Sequence, residues 1–139
     1  MRIMAIDYGD AHTGIAISDP TGFLAGFTTV INAYRPEVVA EQVAALAKEH
    51  GVEELVLGHP INMDGTRGPR SEKAQAMKAL LEETASLPLV LWDERRTTID
   101  AHQILMNSGK NAKKRKKVVD AVAATLILEG YLTYKKSHP

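Results

Sequence analysis

Arg2-Ile3-Met4-Ala5-Ile6-Asp7-Tyr8-Gly9, then Asp10-Ala11-His12-Thr13, then Gly14-Ile15-Ala16-Ile17-Ser18-Asp19, reads as two strands joined by a tight turn. Ile3 to Ile6 is a short apolar run, as expected of a strand buried on both faces. The polar residues 10–13 make the turn, and Gly14 closes it. Asp7 then falls at the end of the first strand. A carboxylate there is costly to bury unpaired, so it is exposed, hydrogen-bonded or holding a cation.

Outward from this pair, Asp19-Pro20-Thr21-Gly22 is a second turn and Gly26 to Ile31 a third strand. Strand, turn, strand, turn, strand predicts an antiparallel meander. Pro36 suits the first position of a helix. Val39, Val43, Leu46 and Ala47 follow at helical spacing, and Gly51 is placed to end it. Glu54 to Gly58 is a fourth strand, parallel to a neighbour through a right-handed crossover.

A long loop follows, His59 to Glu72, rich in Gly, Pro, Asn and Asp and carrying Arg67 and Arg70. Long loops at strand ends gather binding residues. Pro69 or Ser71 starts the next helix, with Ala74, Met77, Leu80 and Leu81 as its buried stripe. Leu87 to Trp92 is a fifth strand, apolar throughout and therefore expected to be central or covered on both sides. It ends in Asp93-Glu94-Arg95-Arg96-Thr97-Thr98, where Thr97 with Asp100 resembles a capping box. A helix bearing Ile99, Leu105 and Met106 and ended by Gly109 is expected next. The basic run Lys110 to Lys117, with Lys113, Lys114, Arg115, Lys116 and Lys117 at its centre, leads into a final helix, Val118 to Leu132. Asp120 is expected in the first turns of that helix.

The chain has 139 residues, 45% hydrophobic and 24% charged, enough for one domain (1–139) with its own core. It has no cysteine, which excludes a disulfide framework and a thiolate metal site. No stretch reads as a signal segment or membrane span, so a soluble, cytoplasmic protein is expected. The net charge is zero but uneven. Up to Trp92 there are seven Lys and Arg against twelve Asp and Glu, and from Asp93 onward ten against five. The basic second part suggests a polyanionic partner, although charge alone is equally a solvated face.

Three acidic sites remain: Asp7, Asp93 or Glu94, and Asp120. A lone acid early in a helix ordinarily complements the helix dipole. Carboxylates without histidine or cysteine partners suit Mg²⁺ or Mn²⁺. A pair of such ions, roughly 3.5–4 Å apart, clamps the attacking and leaving oxygens of a phosphodiester displacement. The basic run would then hold a nucleic-acid backbone.

Asp7-Tyr8-Gly9 with Gly14 to Asp19, Gly58-His59-Pro60 with Asp64-Gly65-Thr66 and Gly68-Pro69-Arg70, Trp92 to Arg95 with Thr97-Thr98, and Lys114 to Lys117 with Asp120-Ala121 together resemble the YqgF family, also called RuvX. That family is associated with Holliday junction resolution and with processing of pre-16S ribosomal RNA. The resemblance implies a ribonuclease H-like α/β fold: a five-stranded mixed sheet of order 3-2-1-4-5, strand 2 antiparallel, with helices on both faces. It implies a nuclease using Mg²⁺ or Mn²⁺ on Asp7, Glu94 and Asp120. Glu94 is preferred to Asp93 because relatives use Glu on this strand and successive strand residues point to opposite faces. Candidate nucleic-acid contacts are Arg67, Arg70, Arg95, Lys113, Lys114, Arg115, Lys116 and Lys117. The expected substrate is precursor ribosomal RNA at its 5′ end, with branched DNA as the alternative. The ribosome is a further expected partner, and the expected state is a monomer or weak homodimer.

Two readings from other classes stand beside this one. Asp7-x-Gly9 with Gly14 also resembles the phosphate-binding turn of the sugar-kinase, actin and Hsp70 superfamily, which nucleotide titration would reveal. A non-enzymatic ribosome-assembly factor would use the basic run alone, and its acids would be dispensable.

Overall fold

The computed structural model describes residues 1–21, 25–59, 68–93 and 112–137, with the backbone only for residues 25, 112–121 and 137. Among them the elements run β1 (Arg2–Asp7), β2 (His12–Ser18), β3 (Ala25–Asn32), α1 (Pro36–His50), β4 (Val52–His59), α2 (Pro69–Thr84), β5 (Leu89–Asp93) and α3 (Ala112–Ser137). Pro60 to Arg67, Glu94 to Asn111 (with the Thr97–Asp100 capping box and the helix expected to end at Gly109) and Gly22 lie outside the described residues.

The strands form one sheet of order β3-β2-β1-β4-β5. β1, β2 and β3 are the expected meander, antiparallel at both pairings, with Met4 opposite Ile17 and Asp7 opposite Gly14. β4 lies parallel to β1, and β5 parallel to β4.

Alternation along the strands divides the interior in two. Met4, Ile6, Ile15, Ile17, Leu55 and Leu57 face α1 and α2, which bury Val39, Ala40, Val43 and Ala47, and Ala74, Met77 and Leu81. Ile3, Ala5, Ala16 and Val56 face α3, which buries Ala124, Ile127, Leu128, Tyr131 and Leu132. Full burial of one such aliphatic side chain contributes about 1.5–3 kcal/mol, so each helix is held chiefly by its stripe. Pro36 stands at the start of α1. Gly51 ends it in the left-handed conformation at φ 66°, donating its N–H back to Ala47 and Lys48. α2 opens on Pro69, as expected. No helix among the described residues is long and apolar enough to cross a membrane.

Two expectations are corrected. The apolar run Leu87 to Trp92 suggests a strand that is central or covered on both sides; β5 lies at the edge, where the order 3-2-1-4-5 implied by the family resemblance puts it, and Val90 is 36% exposed. Leu89 and Leu91 pack toward the α1–α2 side and Trp92 against α3. α3 lies over β1 and β2, with β3 and β4 at its margins, and leaves Val90 uncovered. The second correction concerns the basic run. Its residues 112–117 do not precede the final helix but lie within it, since α3 spans Ala112–Ser137. Lys and Arg are good helix formers, and the helix runs through them. Asp120 therefore sits in the third turn, beyond the reach of the dipole effect, which fades within the first.

Candidate active site

β1, β3, β4 and β5 all run toward one edge of the sheet, and β2 begins there. Asp7 is the last residue of β1. It continues the series Ile3, Ala5 and so shares the face covered by α3, whereas Tyr8 packs against the opposite core. Its neighbours on that face have no side chains. Gly14 of β2 is directly opposite, and Gly58 of β4 follows Leu57, the partner of Ile6. The half-buried carboxylate thus stands in a trough between two glycines, whose strand positions project no side chain beside it.

Asp93 is placed differently. It pairs in register with His59 and lies one residue past Trp92, so it points to the α1–α2 side. On that side the buried His59 Nε2 is 2.6 Å from Ser71 Oγ, which ties the end of β4 to the first turn of α2. Sequence reasoning took Ser71 only as a helix start. The contact joins residues on either side of a long loop, and spacing alone gives no sign of it.

α3 approaches this edge with its N-terminal half. Its far end is fixed at the start of β4, where the Tyr131 hydroxyl donates to Glu54 and Lys135 Nζ lies 3.3 Å from Glu54 Oε2. Glu54 is level with Ile3 of β1. From Ile3 to Asp7 the strand advances about 13 Å. From Tyr131 back to Asp120 the helix covers about 16 Å. Position 120 is therefore roughly level with Asp7. It stands four and seven residues before Ala124 and Ile127, both buried against the sheet. Glu94, Arg67 and Arg95 lie outside the described residues, and Lys113 to Lys117 are described as backbone. Among the described residues no three His, Asp or Glu side chains are gathered around a possible ion.

Beside Asp7, on the α2 side, is a cleft of about 240 Å³ lined by Tyr8, Gly9, Asp10, Ala11, His12, Arg70 and Lys73. Arg70 is the one candidate nucleic-acid contact with a described side chain. Lys73 Nζ is 2.7 Å from Asp10 Oδ1, which raises the ammonium's pKa. Burial, followed by the charge of Asp10, raises that of the Tyr8 phenol. A Cβ on Gly9 would overlap the His12 carbonyl oxygen, so the tight turn requires glycine. The cleft was not foreseen: Asp10 and His12 read as turn residues, and Lys73 as one surface cation among many.

The sheet order and the two helical layers define a ribonuclease H-like α/β protein. The same fold is found in RuvC of Thermus thermophilus, solved with a Holliday junction substrate: TM-score 0.63 at 13% identity, over 98% of this chain and 96% of that one. A sequence model of the RuvX family, described as Holliday junction resolvase, matches residues 1–134, and the chain belongs to that family. A Halothermothrix orenii protein named "Putative pre-16S rRNA nuclease" is 44% identical over 135 residues, 97% of this chain and 96% of that one. A Bacillus subtilis protein of the same name is 42% identical over 134 residues, 95% and 97% of the two chains.

Proposed function

We propose that the chain is a divalent-metal-dependent nuclease, a hydrolase of phosphodiester bonds, that processes the 5′ end of precursor 16S ribosomal RNA. The names of relatives more than 40% identical along almost their whole length support the substrate. The observation that carries the chemistry is Asp7 in its glycine-walled trough, with position 120 of α3 level with it. Asp93 points to the other side of the sheet, which favours Glu94 as the third carboxylate. An all-oxygen set of this kind fits Mg²⁺ or Mn²⁺. When bound, such ions activate water and neutralise charge on the oxygens of the displaced phosphodiester.

The chain's own residues do the rest. β1 fixes Asp7 at its last rung. α3 brings Asp120 and the run Lys113 to Lys117 to the same edge, and Arg67, Arg70 and Arg95 add charge for the substrate backbone. The protein works in the cytoplasm beside the ribosome, as a monomer or weak homodimer.

The test is cleavage of a precursor 16S 5′ segment beside a four-way DNA junction in one Mg²⁺ buffer, with wild type and Asp7→Asn. The amide is nearly isosteric but lacks the charge a hard cation needs. The expected result is RNA cleavage by wild type and none by Asp7→Asn, with unchanged circular dichroism. Full activity of Asp7→Asn would sink the metal-nuclease reading. Cleavage of the junction alone would move the substrate to branched DNA.

A further inference from the structure

The cleft beside Asp7 is walled in part by Ala11 and His12, which contact the end of β3 and the residue after it. Ala33, just past β3, donates its N–H to the carbonyl of Ala11 at 3.1 Å, and His12 Nδ1 lies 2.7 Å from Asn32 Oδ1. The first contact ties the chain after β3 to the β1–β2 turn that walls the cleft, and the second ties the last residue of β3 to the first of β2. The next residue is Tyr34, which is 81% exposed, more than any other large hydrophobic side chain among the described residues. Arg35 follows it, also with an exposed side chain. An aromatic ring held in water at a fixed place beside a cationic cleft is poorly explained by packing, because it adds nothing to the core. It is what a stacking contact needs: a π-face next to charge. β3 lies two strands from β1, about 10 Å across the sheet, and Tyr34 follows Val30, the β3 residue level with Asp7, by four positions, so Tyr34 stands within about 16 Å of Asp7, a span of a few nucleotides.

We propose that Tyr34 and the cleft form a subsite for an unpaired nucleotide of the substrate strand, in which the Tyr34 ring stacks on the base while Lys73 and Arg70 neutralise the phosphate. The proposal rests on the nuclease reading above and makes it more specific: the strand presented to the edge is single. A base held in a duplex is already stacked and has no free face to offer. Lys73 is available for this role because its pair with Asp10 is exposed on both sides, and such pairs add little stability. On binding, Lys73 exchanges a carboxylate oxygen for a phosphate oxygen. Asp10 keeps the lysine at the cleft mouth until then.

The experiment measures binding without cleavage, in the absence of divalent cations. A fluorescein-labelled single-stranded RNA and a hairpin duplex containing the same sequence are titrated with the protein between about 50 and 200 mM salt. Tyr34→Ala is expected to weaken single-strand binding about ten-fold. It should leave duplex binding within two-fold and the salt slope unchanged, and Tyr34→Phe should bind as wild type. Lys73→Gln should weaken both ligands and lower the slope of log affinity against log salt by about 0.7 for the single strand. Tyr34→Leu, which keeps apolar bulk without the ring, repeats the test should the alanine variant fold poorly. Unaltered single-strand binding by the alanine and leucine variants overturns the proposal. So does equal loss for strand and duplex, or an unchanged slope for Lys73→Gln. Should wild type fail to cut precursor RNA while these binding differences hold, the nuclease reading falls and the subsite stands.

Discussion

At the scale of single residues, the tight turn after β1 is governed by Gly9. Its missing Cβ lets the His12 carbonyl approach, and that approach shapes both the cleft and the exit of Asp7 from the sheet. Gly9→Ala forces the turn open and should cost about 1–3 kcal/mol. Urea denaturation should show the loss, and cleavage should fall too, because Asp7 and Tyr8 immediately precede the displaced turn. The identity of the second carboxylate is also decided residue by residue. Asp93→Asn should retain most cleavage and Glu94→Gln should lose it, since Asp93 shares its side of the sheet with His59. Asp7 was legible in the sequence because an acid ending an apolar run is conspicuous. The cleft residues were not, because Asp10, His12, Tyr34 and Lys73 lie on three separate elements and turns, and no periodicity links them.

Among the elements, α3 carries the most consequence. Its run Lys113 to Lys117 winds around the helix, with positions 113, 116 and 117 along one side and 114 and 115 on others. A strand can therefore meet about three of the five at once. Neutralising Lys113, Lys116 and Lys117 together should lower the salt slope of RNA binding by about two, and adding Lys114 and Arg115 should change it little further. At its other end α3 is locked by Tyr131, whose phenol is pushed well above the usual tyrosine range by burial, then by its hydrogen bond to Glu54. The folded state thus keeps a proton that the unfolded chain gives up near pH 10. This contribution is complete below pH 10 and is lost as the pH rises above it. Tyr131→Phe should be less stable at neutral pH, and its stability should fall less steeply above pH 10 than that of wild type. The meander, α1 and α2 were readable from turn residues, Pro36, Gly51 and helical spacing. The sheet order implied by the family resemblance put β5 at the edge, whereas its apolar run alone did not, because such a run shows that a strand is partly buried, not how many neighbours it has. The start of α3 was misplaced because charge was taken for a boundary.

For the whole molecule, the proposed convergence of Asp7, Glu94 and Asp120 on one edge would set three like charges against one another when no cation is present. Mg²⁺ or Mn²⁺ should raise the melting temperature by binding the native state alone. Metal-free Asp120→Asn should melt no lower than wild type, yet lose most of the metal-induced rise and nearly all cleavage. A clearly lower melting point with an undiminished metal response would remove Asp120 from the cluster. The uneven charge visible in the sequence finds its place here. The basic residues after Asp93 belong largely to the one helix that ends at the carboxylate edge, which composition could suggest but not locate.

The position of α3 also sets a timetable. Asp7 is made before α3, which follows every other described element in the chain. A nascent chain that has emerged as far as β5 can pair its strands and pack α1 and α2. Its second face still exposes Ile3, Ala5, Ala16, Val56 and Trp92 to water. Until α3 docks, that face lacks its cover. On the nuclease proposal, the carboxylate set is completed only as α3 docks.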